Sequence, residues 1–347
     1  ISSAVKLEVT HAPGAALFQL VGAIFAIFGF GNVENYGLII NAMSALFSAF
    51  TILFLFWTIT HIARRILGKE MEDVNSLEQI SILFSGVIGA LCFTFSDTFW
   101  YSAVEGEVYS MASMFIALIV WLITKWENEY NADDNQRWLI LIFFLVGLSI
   151  GVHMMVMLCV PAVCFIYYAK NYSFTWKNFI IANFITLGVL AFVFKGIFPI
   201  VMSFFGKSEI FFVNNFGLPF HSGTLIAFGL LTAFCYYIIQ YTRKKENHLY
   251  QTIALSVVYM IIGFSCWLMI PIRANANPPM NLNNPDTAIG MLDYYNRVQY
   301  GDWPTSYGQN YTAHLDRNGI ERNSDGSYKS VKTGDVYEKN ENNTESQ

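Results

Sequence analysis

Long apolar runs separated by short polar connections make up most of the chain. A membrane-crossing helix needs about 20 apolar residues. By that rule crossings are predicted near 36–60, 79–98, 108–125, 178–203, 223–242 and 250–271. The run 138–169 is too long for one helix. Gly147, Gly151 and His153 near its centre divide it into two short helices meeting at an aqueous face, which makes eight crossings. The run 14–30 is shorter, contains Gln19 and Gly22, and follows His11-Ala-Pro-Gly14. It reads as a helix lying in the outer interface; a ninth crossing is the alternative. The expected fold is an all-α polytopic membrane bundle.

Lys and Arg in short loops favour the cytoplasmic side. Arg64, Arg65 and Lys69, then Lys125 and Arg137, then Lys170 and Lys177, then Arg243, Lys244 and Lys245 fall on one side under this count. The opposite loops hold just Lys207. That arrangement puts the Glu105–Glu107 segment, the loop 204–222 and the polar tail outside the cytoplasm. Residues 1–271 then form the transmembrane domain, and 272–347 an extracytoplasmic region that reads as the start of an external domain.

Composition agrees. Of 347 residues only 13% are charged and 54% are hydrophobic, against about 25% charged in a soluble domain. The net charge of −5 resides mostly in the tail, and nothing points to nucleic acid. All five cysteines lie in apolar runs without metal-ligand spacing and read as buried thiols. No Walker loop, dinucleotide-binding glycine fingerprint or zinc pattern is present.

Charge inside such a chain needs a reason, because an ionised group in hydrocarbon costs about 2.5–3.5 kcal/mol on insertion scales. Glu105 and Glu107 stand between two apolar runs, with Asp97, Trp100 and Tyr101 beside them. Two carboxylates there can hold a divalent cation, act as general base toward a hydroxyl, or grip sugar hydroxyls. Equally, acidic residues suit a hydrated helix start. His11, held at a Pro-Gly turn, can touch phosphate or carry a proton, or be structural. His153 in the split run can reach the same cavity or satisfy an interhelical hydrogen bond. Lys195 lies inside a predicted crossing about two turns from its outer end, where its stem also allows snorkelling. Arg273, directly after the last crossing, suits a lipid-linked phosphate or a boundary anchor. In the tail, the prolines of Asn277-Pro-Pro-Met-Asn281 forbid a continuing helix, and Tyr294–Gly301 is predicted as a short helix displaying Arg297.

Glu8 through Phe18, the Phe99–Ser110 block, Gly147–His153, and Arg273 with Asn277-Pro-Pro and Asn296-Arg-Val-Gln-Tyr-Gly301 together carry a family resemblance. The chain resembles the bacterial protein O-mannosyltransferase-like family, long catalogued as a domain of unknown function, over residues 1 to about 310. That family is similar to the GT-C superfamily of polyprenyl-phosphate-dependent glycosyltransferases. The resemblance implies an enzyme of the bacterial inner membrane with its active site on the periplasmic side. It would move mannose or another hexose from a polyprenyl-phosphate donor to hydroxyls of exported proteins or glycans. Glu105-Gly-Glu107 looks like the acidic motif of the second external loop, and His11-Ala-Pro-Gly14 like the His-Pro-Pro turn of the first, with Ala12 departing from proline. The first-loop acidic motif is expected just before Ile1, so the chain reads as a fragment. In this reading Arg273, Lys195 and Lys6 hold donor phosphate, Glu105, Glu107 and His11 serve catalysis, and Asp97, Trp100, Tyr101, His153 and Arg297 bind substrate. Metal dependence stays open. The rival readings are a transporter, which predicts midplane charges and repeated halves, and a non-catalytic scaffolding subunit.

Overall fold

A computed structural model describes residues 1–69, 73–131 and 135–301. Asp302 and the weakly patterned tail beyond it lie outside the described residues. The chain forms one compact unit over Ile1–Arg297; of a second unit, the described part is Val298–Gly301, a single 3-10 turn and its terminating glycine. Among the described residues there is no strand, only a lone bridge between Val9 and Asn281.

Among the described residues seven helices are long and apolar enough to cross a membrane: Val33–Leu67, Ser76–Thr94, Val108–Asn128, Met154–Asn171, Trp176–Phe216, Ser222–Lys244 and His248–Asn275. Two shorter apolar helices, Ala16–Gly29 and Gln136–Ser149, accompany them. The protein is a polytopic all-α membrane bundle.

Its two ends differ chemically. Along α3 (Val33–Leu67) twenty residues separate Asn41 from His61, about 30 Å at 1.5 Å per residue, which is the thickness of a hydrocarbon core. At the Asn41 level Gly106 of the acidic segment packs on α3. At the His61 level α3 meets the end of α6 (Val108–Asn128) through ion pairs and hydrogen bonds to Glu127 and Asn128. The first is the carboxylate end of the bundle and the second the basic end. Between them the clustered rings of Phe54, Trp57 and Trp121, in tilted and edge-on contacts, join α3 to α6, with centroids 5.0–5.7 Å apart.

The run 138–169 forms two helices that turn near its centre, as its glycines suggested. The helix α7 (Gln136–Ser149) leaves the basic end, where Arg137 pairs with Glu129. A 3-10 turn, Met154–Cys159, begins at His153, and α8 (Val160–Asn171) returns until Asn171 meets the Tyr130 hydroxyl. Although α7 has only 14 residues, it packs deeply against α12 (His248–Phe264). Glycine makes this approach feasible on both sides. A Cβ on Gly147 would sit 2.0 Å from the Met260 carbonyl oxygen, and one on Gly263 would sit 2.2 Å from that of Phe144. Small residues let helix backbones touch in this way.

Several boundaries differ from expectation. The segment 204–216, expected in a loop, is helical: α9 (Trp176–Ala191) runs through a π turn, Phe192–Ile197, into α10 (Phe198–Phe216). Pro199 follows directly on the π turn, where the regular i→i−4 ladder is already interrupted and a missing N–H is tolerated. The carboxylate of Glu209 then ties α10 to α11 (Ser222–Lys244) by accepting from the His221 and Thr224 backbone N–H groups and the Thr224 hydroxyl. Lys195 stands in the π turn, 19 residues after Trp176. An unforeseen helix, α5 (Asp97–Val104), precedes the acidic segment and follows α4 (Ser76–Thr94). In the tail, α14 is Ala288–Asn296, ended by Arg297 in a left-handed conformation rather than by Gly301. It packs on α10, with Leu292 against Gly206, so residues 272–297 belong to the same compact unit as the bundle.

Candidate active site

The acidic pair hangs from a connection between helices and not from a helix surface. Glu105 closes α5 and Glu107 precedes α6, both with extended backbone, and the Glu107 N–H donates to the Glu105 carbonyl at 2.8 Å. Gly106 between them presses into α3. A Cβ there would lie 2.9 Å from Ile40 Cγ2 and 3.2 Å from both Asn41 Oδ1 and Ile1 Cγ1. With that side occupied, the flanking carboxylates project to solvent, and both glutamates are exposed. Neither caps α6 through its side chain. Asn41 Oδ1, buried beside Gly106, has no hydrogen-bond partner among the described residues.

His153 comes to the same place. Its ring lies 5.5 Å from that of Tyr109, two residues after Glu107. Its Nδ1 accepts the Met155 backbone N–H at 3.1 Å. Partial burial holds the imidazole below its ordinary pKa of 6.5, so near neutral pH it is uncharged and offers Nε2–H as a donor.

Residues 1–19 thread through this end and touch nearly every other candidate. The first turn, α1 (Ser2–Val5), begins with Ile1 against Gly106 and ends at Lys6. There Arg273 Nε donates to the Leu7 carbonyl at 2.7 Å and its Nη2 to that of Lys6 at 3.2 Å. The short helical step from Ile1 to Lys6, about 8 Å at 1.5 Å per residue, therefore joins the acidic pair to the arginine. Two of five guanidinium donors are used, which leaves three for a ligand. Val9 pairs with Met280 and Leu282 through backbone hydrogen bonds, and Tyr294 donates its hydroxyl proton to the Thr10 carbonyl. His11 is exposed at a turn closed by Gly14 N–H to its carbonyl, with the Ala12–Pro13 peptide cis. Gly14 has φ +72, and a Cβ there would sit 2.7 Å from the Tyr294 hydroxyl. The helix α2 (Ala16–Ala26) then packs on α3, with Gly22 beside Ile40 and Phe25 beside Phe47, while the Leu17 N–H donates to the Gly151 carbonyl.

The remaining candidates are more scattered. Asp97, Trp100 and Tyr101 are exposed on α5, with Trp100 stacked on Phe95. Lys195 is exposed in the π turn and rests against the Phe194 ring, with no contact to the acidic pair. Arg297 ends α14 three residues after Tyr294. Sequence reasoning missed Glu8, whose residue is only 3% exposed and whose carboxylate has no ion pair or hydrogen bond among the described residues. The signal was available: an acidic side chain three positions before the histidine turn. It also missed Asn41, whose burial depends on a contact between distant segments. Among the described residues no three His, Cys, Asp or Glu side chains gather to enclose a metal. A hard divalent ion at Glu105 and Glu107 would take its further oxygen ligands from water or substrate.

The family model described as "Protein O-mannosyl-transferase TMEM260 N-terminal domain" matches residues 1–176, the stretch that contains the histidine turn, the acidic pair and His153. The mouse protein O-mannosyl-transferase TMEM260 is 27% identical over 151 residues, 43% of this chain and 19% of the relative. The Dictyostelium discoideum protein O-mannosyl-transferase tmem260 is 25% identical over 189 residues, 51% of this chain and 21% of the relative. The chain thus spans about a fifth of the length of these curated relatives. No solved structure matches. On residues 1–176 the chain belongs to the family of the TMEM260 N-terminal domain.

Proposed function

We propose that this protein is a membrane glycosyltransferase that moves mannose or another hexose from a polyprenyl-phosphate carrier to hydroxyls of exported proteins, working at the periplasmic face of a bacterial inner membrane. The observation that carries the reading is the meeting, at one end of the bundle, of an exposed carboxylate pair, a neutral histidine and an arginine tied to the same N-terminal turn. The names of the relatives support sugar transfer to protein.

In this mechanism an acceptor hydroxyl loses its proton to a carboxylate as its oxygen attacks the anomeric carbon. Glu107 and Glu105 are the candidates on this chain, and the family resemblance adds a carboxylate upstream of Ile1. The sugar–phosphate bond breaks and phosphate leaves as an anion, so cations matter most at that oxygen. Arg273 and Lys6 supply them, with Lys195 at the lipid boundary. His153 donates Nε2–H to substrate, His11 meets phosphate or carries a proton, and Trp100 and Tyr101 offer aromatic faces to sugar, with Asp97 and Arg297 beyond them. A divalent ion, if used, would neutralise phosphate charge at the carboxylate pair.

The test is the intact mass of exported proteins from cells with and without the full gene. Loss of a hexose-sized increment supports transfer. An unchanged glycan profile with altered membrane transport would replace it by the transporter reading.

A further inference from the structure

The basic end of the bundle holds a cavity of about 580 Å³ between α3, α6 and α8, remote from the carboxylates. We infer that it binds an anionic phospholipid with a hydroxylated headgroup. This inference is independent of the transferase reading.

The cavity's polar wall is built and interlocked. Glu127 takes His61 Nε2 at 3.2 Å and Arg65 Nη2 at 2.8 Å, while Asn128 faces His61 Nδ1 at 3.2 Å and accepts from Arg64 Nη2 at 2.7 Å. Two guanidinium groups against one carboxylate leave the cluster with a net positive charge, counting His61 as neutral. The Arg65 side chain is 53% exposed at the rim and keeps further N–H donors for a phosphate. Deeper in, the Thr58 and Thr124 hydroxyls donate to the carbonyls of Phe54 and Trp121. What they turn to the cavity is lone pairs, which suit the hydroxyl protons of a glycerol- or inositol-type headgroup.

The other wall selects lipid over a free anion. Ile62 and Ile66 flank Arg65 and are 49% and 80% exposed, and Val120 and Ile166 continue the apolar lining. A phosphate ion would meet Arg65 and leave these side chains in water. A phospholipid meets both, because the guanidinium and the isoleucines stand one turn apart where the crossing ends. A basic residue near a membrane surface contributes about 1 kcal/mol toward anionic lipid, about fivefold in occupancy.

The experiment uses the full chain reconstituted with equal phosphatidylglycerol and phosphatidylcholine, and counts retained lipid by native mass spectrometry. The expected result is about fivefold enrichment of phosphatidylglycerol, reduced toward the mixing ratio in Arg65→Gln. Val120→Phe, which fills the apolar wall and leaves every charge in place, should lower total retention. Inorganic phosphate in millimolar excess should displace nothing. Equal retention of the two lipids by the unaltered chain overturns the inference, as does displacement by phosphate or unchanged retention in Val120→Phe. Should Arg65→Gln not fold, the lipid comparison and Val120→Phe decide.

Discussion

Substituting Gly106 tests whether the acidic pair must sit where α3 holds it. The ideal Cβ at this position falls 2.9 Å from Ile40 Cγ2 and 3.2 Å from Asn41 Oδ1 and Ile1 Cγ1. Ile40 is fully buried, so it has little room to retreat. Alanine therefore demands a shift of a few tenths of an ångström, and valine, with two further methyl groups, a shift approaching an ångström. Overpacking of this kind costs about 1–3 kcal/mol, and a displacement near 1 Å at reacting groups costs up to about 100-fold in rate. Gly106→Val should lower sugar transfer by about 10- to 100-fold in the full-length protein reconstituted in membranes, with Gly106→Ala between it and the unaltered chain. The control is Gly37→Ala on the same helix face region, where a Cβ meets nothing within 4 Å. It should leave transfer intact and raise the melting temperature slightly, since alanine favours helix over glycine by about 1 kcal/mol. A Gly106→Val protein that transfers sugar at the normal rate would refute the view that this glycine positions the carboxylates.

Glu107→Gln keeps shape and removes charge, and Arg273→Ala removes a cation together with its hold on Leu7 and Lys6; each should cut transfer at least about tenfold, about 1.4 kcal/mol of barrier. Normal rates in both would remove the site assignment. Because burial lowers the His153 pKa below 6.5, the unfolded chain binds more protons than the folded one just below that pH. This residue's contribution to stability is thus complete above 6.5 and declines as pH falls toward the folded-state value. The drop in melting temperature between pH 7.5 and pH 5 should shrink in His153→Gln, and an identical drop would show that His153 is not the group responsible. Gly147→Ala, whose methyl would meet the Met260 carbonyl at 2.0 Å, should destabilise by more than about 3 kcal/mol, because backbone cannot move aside as a side chain does. Retained folding and unaltered melting would mean that α7 and α12 pack less closely.

Much of the bundle was legible because hydropathy reports each position's solvent directly. The division of 138–169 into two helices was visible in three residues, Gly147, Gly151 and His153, and the structure turns the chain there. The extent of α10 was not legible. Lys207, Ser208 and Glu209 read as loop residues in water, whereas the Glu209 carboxylate is sequestered by three donors on α11. That change of environment comes from a partner 12 to 15 positions away.

The sequence by itself determined that this chain is a membrane bundle of helices and which few charged residues need explaining. Each of these follows from the cost of placing a polar group in hydrocarbon, a cost felt one residue at a time. Only the tertiary structure decided that residues 1–19 tie the acidic pair, Gly151, Arg273 and Tyr294 into one neighbourhood. Those ties run largely to backbone carbonyls, as from Arg273 to Leu7 across 266 positions. Every residue type carries a carbonyl, so such a bond leaves no mark in the order of the amino acids.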